Sequence, residues 1–317
     1  MITRRGLLKA FGLAALGGLS LGGYAFGYEP MRLRVQRYAL TLPRWPDDLS
    51  LRMAVLADIH ACEPWMTAGR IRGIVAQTNA LAADIVVMLG DYAAGHRWVT
   101  DWVHSKDWSE ALAGLHAPLG VHAILGNHDW WEDRTCQAKG TGPVFGRLAL
   151  ERVGIPVYEN DVVKIHKDGR AFWLAGLGDQ IALLPGRKWG RRRFQGVDDL
   201  PATLAKINDD DPVILLAHEP DIFPSVPERV SLTLCGHTHG GQVRLFGRSP
   251  VVPSRYGNRY AYGHIVEPVA DEPNALRHMI VSGGLGCSIA PVRFGVPPEI
   301  VLVELGAGQA RLGSRAV

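Results

Sequence analysis

The chain has 317 residues, 47% of them hydrophobic, and a formal net charge of +3. That length and apolar content suffice for a full core in one large α/β domain or two small ones. The near-neutral balance gives no general attraction for a polyanion, so no nucleic-acid partner is expected. The four cysteines, Cys62, Cys136, Cys235 and Cys287, show neither zinc-knuckle spacing nor a disulfide framework.

In chain order, Arg4-Arg5 stand a few residues before a Gly/Ala/Leu-rich run from Ala10 to about Tyr28. This resembles a twin-arginine export signal, read by its receptor through the arginine pair. No A-x-A cleavage site follows, and the apolar run is near the lower limit of a membrane span. Residues 1–28 are therefore expected to be a twin-arginine signal or anchor segment, with the twin-arginine export machinery as a partner. Residues 29–317 are expected to form one catalytic domain in the periplasm or on the outer face of the cytoplasmic membrane.

From Met31 to Leu51 the chain alternates, with a Pro-Arg-Trp-Pro turn, as in an edge strand or hairpin. The apolar run Leu51–Ala57 reads as a strand ending in Asp58-Ile59-His60, whose two polar side chains can face one way if extended. A helix carrying Ile71, Ile74, Val75 and Leu81 leads to the strand Ile85–Leu89, which stops at Gly90-Asp91. A helical stretch, Trp108–Leu115, precedes the strand Val121–Leu125 and then Gly126-Asn127-His128-Asp129. This alternation describes a parallel sheet with polar groups always at the carboxyl ends of the strands, where ligands collect in open α/β sheets.

The middle is less regular: a helix over Pro143–Val153 and a hairpin of Val162–His166 with Phe172–Leu177. Gly176-Leu177-Gly178-Asp179 lacks the third glycine of a nucleotide loop and reads as a turn. Arg187–Arg193 packs five basic residues around Trp189, either a solvated loop or a site for an anionic head group. The pattern then returns. A helix over Leu200–Asn208 feeds the strand Val213–Leu216, which ends at His218-Glu219. The strand Ser231–Cys235 ends at Gly236-His237-Thr238-His239. Strands His278–Ser282 and Glu299–Leu305 close the chain.

Asp58, His60, Asp91, Asn127, His218, His237 and His239 are oxygen and imidazole donors, with no thiolate among them, which suits Mn, Fe, Zn or Mg. Seven donors are too many for one tetrahedral ion and about right for two with a shared carboxylate. His128 is left over beside Asp129, an arrangement in which a carboxylate can orient an imidazole for general acid work.

Together, Asp58-x-His60, Gly90-Asp91, Gly126-Asn127-His128-Asp129, Ala217-His218-Glu219 and Gly236-His237-Thr238-His239 resemble the five blocks of the calcineurin-like metallophosphoesterases, in that family's order. Gly284-Leu285-Gly286 and Pro291-Val292-Arg293-Phe294 resemble its exported YkuE/YaeI-like bacterial branch. The resemblance implies a four-layer α/β/β/α sandwich with the site at the shared edge of two facing sheets. It implies one ion on Asp58, His60, Asp91 and His239, and a second on Asp91, Asn127, His218 and His237. It also implies attack by a metal-bridging hydroxide on a phosphodiester or pyrophosphate, with His128 protonating the leaving oxygen, helped by Asp129.

The related branch suggests a lipid-linked or nucleotide-sugar substrate such as UDP-2,3-diacylglucosamine. Trp98, Trp102, Trp108, Trp130 and Trp131 account for five of nine tryptophans. With Trp98 and Trp102 at helical spacing, they read as core or as a wall against an acyl chain or bilayer. The competing reading, a non-catalytic metal-dependent binder of an anionic envelope polymer, keeps the ligands but has no use for His128.

Overall fold

The computed structural model describes residues 3–93, 95–269 and 272–306. In chain order the elements are α1 (Arg4–Gly23), β1 (Arg34–Leu40), β2 (Leu51–Leu56), β3 (Cys62–Glu63), α2 (Ala68–Ala80), β4 (Ile85–Met88), β5 (Asp101–Trp102), α3 (Ser105–Leu112) and β6 (Val121–Ala123). Then follow α4 (Asn127–Trp131), α5 (Arg134–Lys139), α6 (Phe145–Arg152), β7 (Asp161–Lys167), β8 (Arg170–Gly176), α7 (Leu200–Ala205), β9 (Val213–Leu216), β10 (Val230–Cys235), β11 (Gly263–Val269), β12 (Glu272–Val281) and β13 (Glu299–Leu305).

Two sheets form, ordered β1-β13-β2-β4-β6 and β11-β12-β10-β9-β8-β7. In the first, β2, β4 and β6 run parallel, as the strand-helix alternation requires. The closing strand β13 inserts antiparallel to β2 and parallel to β1. In the second, β8, β9, β10 and β12 are parallel, flanked by the antiparallel β7 and β11.

The interior strands of each sheet, three in the first and four in the second, are rich in apolar residues because both of their faces are covered. Met53, Val55, Val87 and Val303 face Leu174, Ile214, Leu216 and Leu234 of the other sheet. Ala54, Leu56, Val86 and Met88 turn outward onto Ile71, Ile74, Trp108 and Leu112 of α2 and α3. Val213, Leu215, Met279 and Val281 turn onto Leu200 and Phe223. Helix, sheet, sheet, helix: the expected four-layer sandwich is the observed one.

Two local expectations are corrected, and one strand is added. Trp98 and Trp102 do not share a helix; Trp102 pairs with Cys62 in a two-residue ribbon, and both indoles are exposed, at 68% and 50%. The segment Gly263–Val269 is a strand that its glycine and proline residues concealed. Asp58 and His60 are not extended, since both have left-handed backbone, at φ 54° and 48°.

Candidate active site

The seven donors meet at the carboxyl ends of β2, β4, β6, β9 and β10. Asp58, His60, Asp91, His237 and His239 all take positive φ, between 48° and 67°. L-residues adopt that conformation rarely, and its cost is borne where the surrounding structure over-determines it. Here the strand must turn within one residue to aim its side chain across the sheet edge. Glycines make room for it: a Cβ on Gly126 would stand 2.4 Å from Asp91 Oδ1, and one on Gly284 would stand 2.8 Å from Asp58 Cβ.

Two donor groups result, Asp58-His60-His239 and Asp91-His218-His237, each with its ligand atoms within 4.8 Å of one another. Asp91 Oδ2 lies 3.2 Å from His218 Nε2 and 3.5 Å from His60 Nε2, so it reaches both groups. Asn127 Oδ1 stands 2.8 Å from His237 Nδ1.

The imidazoles are already set for this role. His60 Nδ1 and His218 Nδ1 sit on the carbonyls of Ala93 and Leu89, at 2.9 and 2.6 Å. A carbonyl accepts only, so each Nδ1 carries the proton and each Nε2 turns a lone pair into the site.

The polar bookkeeping fits divalent cations. Asp58 Oδ2 is buried without a hydrogen-bond partner, which is costly unless something else satisfies it. Burial drives the Asp58 carboxyl up to about 7, with Asp91 adding to it. Burial likewise drives His60 down to about 3 and His239 well below the usual imidazole value. Burial would also raise Asp91, but the His218, His128 and His60 rings outweigh it and hold that carboxyl low. His218 is the exception among these imidazoles: burial would lower it, but Asp91, Glu219 and Asp58 raise it well above the usual value, so its proton must leave before Nε2 can hold a cation.

His128 edges this basin. Its backbone N–H donates to Asp91 Oδ1 at 2.8 Å, and its ring packs edge-on against His60 and Trp131. Nε2 lies 3.4 Å from Ser288 Oγ, and Glu132 Oε1 stands 4.0 Å from Nδ1. Burial alone would lower this imidazole; Asp91, Glu132 and Asp129 together raise it.

The Asp129 carboxylate is engaged by backbone amides: it accepts the N–H groups of Gly126, Asp91, Tyr92 and Ala93, at 2.9 to 3.4 Å. It pins the Asp91 turn to the Asn127 turn, while the side chain beside the His128 ring is that of Glu132. The reason is steric: as the third residue of α4, Asp129 caps that helix at Gly126 and points back along the chain.

With this geometry in view, comparison with known proteins is decisive. The family described as calcineurin-like phosphoesterase matches residues 51–241. The chain belongs to the calcineurin-like phosphoesterase family. The uncharacterized metallophosphoesterase YkuE of Bacillus subtilis is 28% identical over 96% of this chain and 98% of its own length. Phosphodiesterase YaeI of Escherichia coli is 29% identical over 96% and 100%. UDP-2,3-diacylglucosamine pyrophosphatase LpxG of Chlamydia trachomatis is 25% identical over 87% and 90%. This calcineurin-like phosphoesterase is a metal-dependent hydrolase of phosphoric esters.

Three features of this phosphoesterase were not legible as site features in its sequence. Asp179 and Glu219 form a third donor group with His218. Asp179 looked like a turn residue, but burial and the Glu219 carboxylate push its carboxyl well up. Arg293 is fully buried, donating to the carbonyls of Gly283, Gly286 and Val296, with Nη2 3.4 Å from His239 Nδ1. Finally, a cavity of about 440 Å³ opens from the donor basin and is walled by Trp131, Val243, Val251, Pro253, Ile289 and Val292. Of the five clustered tryptophans, Trp108 and Trp130 are core and Trp131 lines the cavity.

Proposed function

We propose that this protein is a binuclear phosphodiesterase or pyrophosphatase acting on a substrate with an apolar portion. The observation that carries the reading is the Asp91 carboxylate, within 3.5 Å of imidazoles from both donor groups. One ion is assigned to Asp58, His60, Asp91 and His239, the other to Asp91, Asn127, His218 and His237. Two divalent ions held there supply Lewis-acid stabilisation of phosphoryl charge and lower the pKa of water.

The chain's own residues do the rest. The carbonyls of Ala93 and Leu89 fix which nitrogen each histidine presents. Asp129 holds the shared Asp91 turn in register with Asn127. His128 is assigned the proton delivered to the leaving oxygen, from Nε2 at the cavity wall; its raised pKa keeps that proton available near neutral pH. The apolar wall beside it receives the non-phosphoryl part of the substrate. The substrate class that fits is a lipid-linked or nucleotide-sugar phosphoester, of the kind printed in LpxG's name.

We assign residues 1–28 to a twin-arginine signal that stays attached as an anchor, and residues 29–317 to the catalytic domain. Supporting this boundary, the exposed helix gives way at Glu29 and Pro30 to buried positions. The site then faces the periplasm or the outer surface of the cytoplasmic membrane.

The test is hydrolysis of bis-p-nitrophenyl phosphate, p-nitrophenyl phosphate and a UDP-diacylglucosamine analogue by chelated protein with Mn, Zn or Mg restored. Metal-restored turnover of a diester or pyrophosphate is expected. Two bound ions without turnover of any of the three would instead favour a binder of anionic envelope polymer.

A further inference from the structure

The wall of the cavity and the end of the N-terminal helix are one continuous surface. Val243, in the wall, pairs with Phe294 as a parallel bridge. The Phe294 ring meets Tyr24 edge-on at 5.9 Å, and the Arg293 N–H donates to the carbonyl of Ala25 at 3.0 Å. On the other flank Arg70 donates to the carbonyls of Pro30 and Trp65, and Trp65 Nε1 donates to the Trp98 carbonyl at 2.8 Å. The chain therefore leaves α1 gripped between the cavity wall and the Trp98 segment.

Around this exit the body displays apolar side chains to solvent. Phe246 is wholly exposed, and Trp98, Ile289, Val251 and Leu245 are 48–68% exposed. Phe246 sits at the tip of a tight turn closed by reciprocal Leu245–Arg248 hydrogen bonds, with φ 51°. A bulky residue at positive φ that touches nothing is costly and needs a reason. Exposed arginines neighbour these tips in the chain: Arg97 precedes Trp98, Arg248 follows the Phe246-Gly247 turn, and Arg32 follows the end of the N-terminal helix.

The helix is equally uncovered. Over 20 residues, α1 has no acidic residue, and Phe11, Leu13, Leu16 and Leu19 are all more than 60% exposed. A helix of that length spans about 30 Å, the thickness of a hydrocarbon core.

We infer that this face docks on a lipid bilayer: α1 enters the membrane, while the Leu245–Phe246 turn, Trp98, Ile289 and Val251 sit in its interfacial layer. Arg32, Arg97 and Arg248 meet anionic head groups there. The cavity then opens at the membrane surface and receives a phosphoester whose acyl chain comes from the bilayer. This deepens the phosphoesterase reading and rests on it. A bilayer is the occupant that covers both the bare helix and the patch continuous with it.

The test uses the full chain in vesicles of phosphatidylethanolamine and phosphatidylglycerol containing doxyl-labelled lipid. A fluorophore is placed at Phe246→Cys or, as the control, at Asp210→Cys. Asp210 lies at the amino end of β9, the opposite edge of the sheets, and all four native cysteines are buried. Lipid quenching is expected at position 246 and not at 210. Equal quenching at both, quenching at neither, or cross-linking of position 246 to a second copy would overturn the proposal.

A Leu245→Asp/Phe246→Asp double variant is expected to hydrolyse vesicle-borne hexadecyl p-nitrophenyl phosphate about tenfold more slowly. Its turnover of soluble bis-p-nitrophenyl phosphate should stay unchanged, since neither residue lines the cavity. Loss of only the vesicle activity supports docking; native vesicle turnover by the double variant overturns it. If the native protein cleaves neither substrate, the phosphoesterase reading falls, and quenching still decides the docking question.

Discussion

At the floor of the cavity, Asp58, His60, Asp91 and His218 are at most 1% exposed; at its mouth, Val251 and Ile289 are 58% and 66% exposed. The floor is polar, strained and supplied by strand ends. The mouth is apolar and comes from loops that follow β10 and β12. The floor's side chains are satisfied only if something cationic joins them, whereas the mouth's are satisfied only if something apolar covers them. The contrast separates two tasks. On the proposed reading, the floor governs whether a phosphoester is cleaved and the mouth which one arrives.

The largest effect expected from breaking this contrast is at Asp91. Asp91→Ala removes the carboxylate common to both donor groups, so bis-p-nitrophenyl phosphate turnover should fall below detection. Metal content by elemental analysis should fall with it, from two ions to one or none. His128→Ala should lower turnover about 100-fold or more while both ions remain bound, which separates proton delivery from metal holding. Retained turnover in that variant would remove His128 from the mechanism.

Asp129→Ala strips a partner from buried amides on two turns and should cost at least about 2 kcal/mol of stability, read by denaturant unfolding. If Asp129 instead acted through His128, this variant would lose turnover without losing stability.

The pH dependence has a defined sign. With its carboxyl raised to about 7 by burial, Asp58 holds a proton below that pH, and a cation must displace it. Divalent-metal affinity is therefore lost as pH falls below about 7, by up to about tenfold per unit for one competing proton, and His218, held above its usual value by Asp91, adds a second proton that a cation must displace. Titration calorimetry of metal-free protein at several pH values checks this; an affinity that rises on acidification would contradict it.

The smallest effect belongs to the mouth. Trp131 is stacked on Phe194, hydrogen-bonded to the Ile181 carbonyl and set against His128. Trp131→Ala should raise KM several-fold for diesters with long apolar groups, with kcat for a small diester changing little. An equal effect on both substrates would assign Trp131 to positioning His128 instead.

Most of the floor could be read in the chain, because strand ends in a parallel sheet must converge on one edge. An apolar run ending in Asp, His or Asn therefore declares its destination. Asp58, Asp91, Asn127, His218 and His237 were identifiable for that reason, and so were the two facing sheets once the family resemblance was recognised. The parts that misled were those set by contacts distant in sequence. Asp129 stands next to His128 in the chain, yet its carboxylate serves amides at Asp91, Tyr92 and Ala93. Trp98 and Trp102 are spaced as on a helix, yet tertiary pairing with Cys62 makes a short ribbon instead.

Sequence alone thus indicated the donor set, the alternation that builds the sheets and an apolar N-terminal helix, since each depends on residue type and local period. Only the tertiary structure decided that the Asp91 carboxylate reaches imidazoles of both donor groups, that Asp129 bonds to the amides of Asp91, Tyr92 and Ala93, and that the N-terminal helix ends against the Arg293–Phe294 segment. Those three facts are distances between segments up to about 270 residues apart, from Tyr24 to Phe294. Distances of that kind are set by how two sheets and their loops pack, which no local pattern encodes.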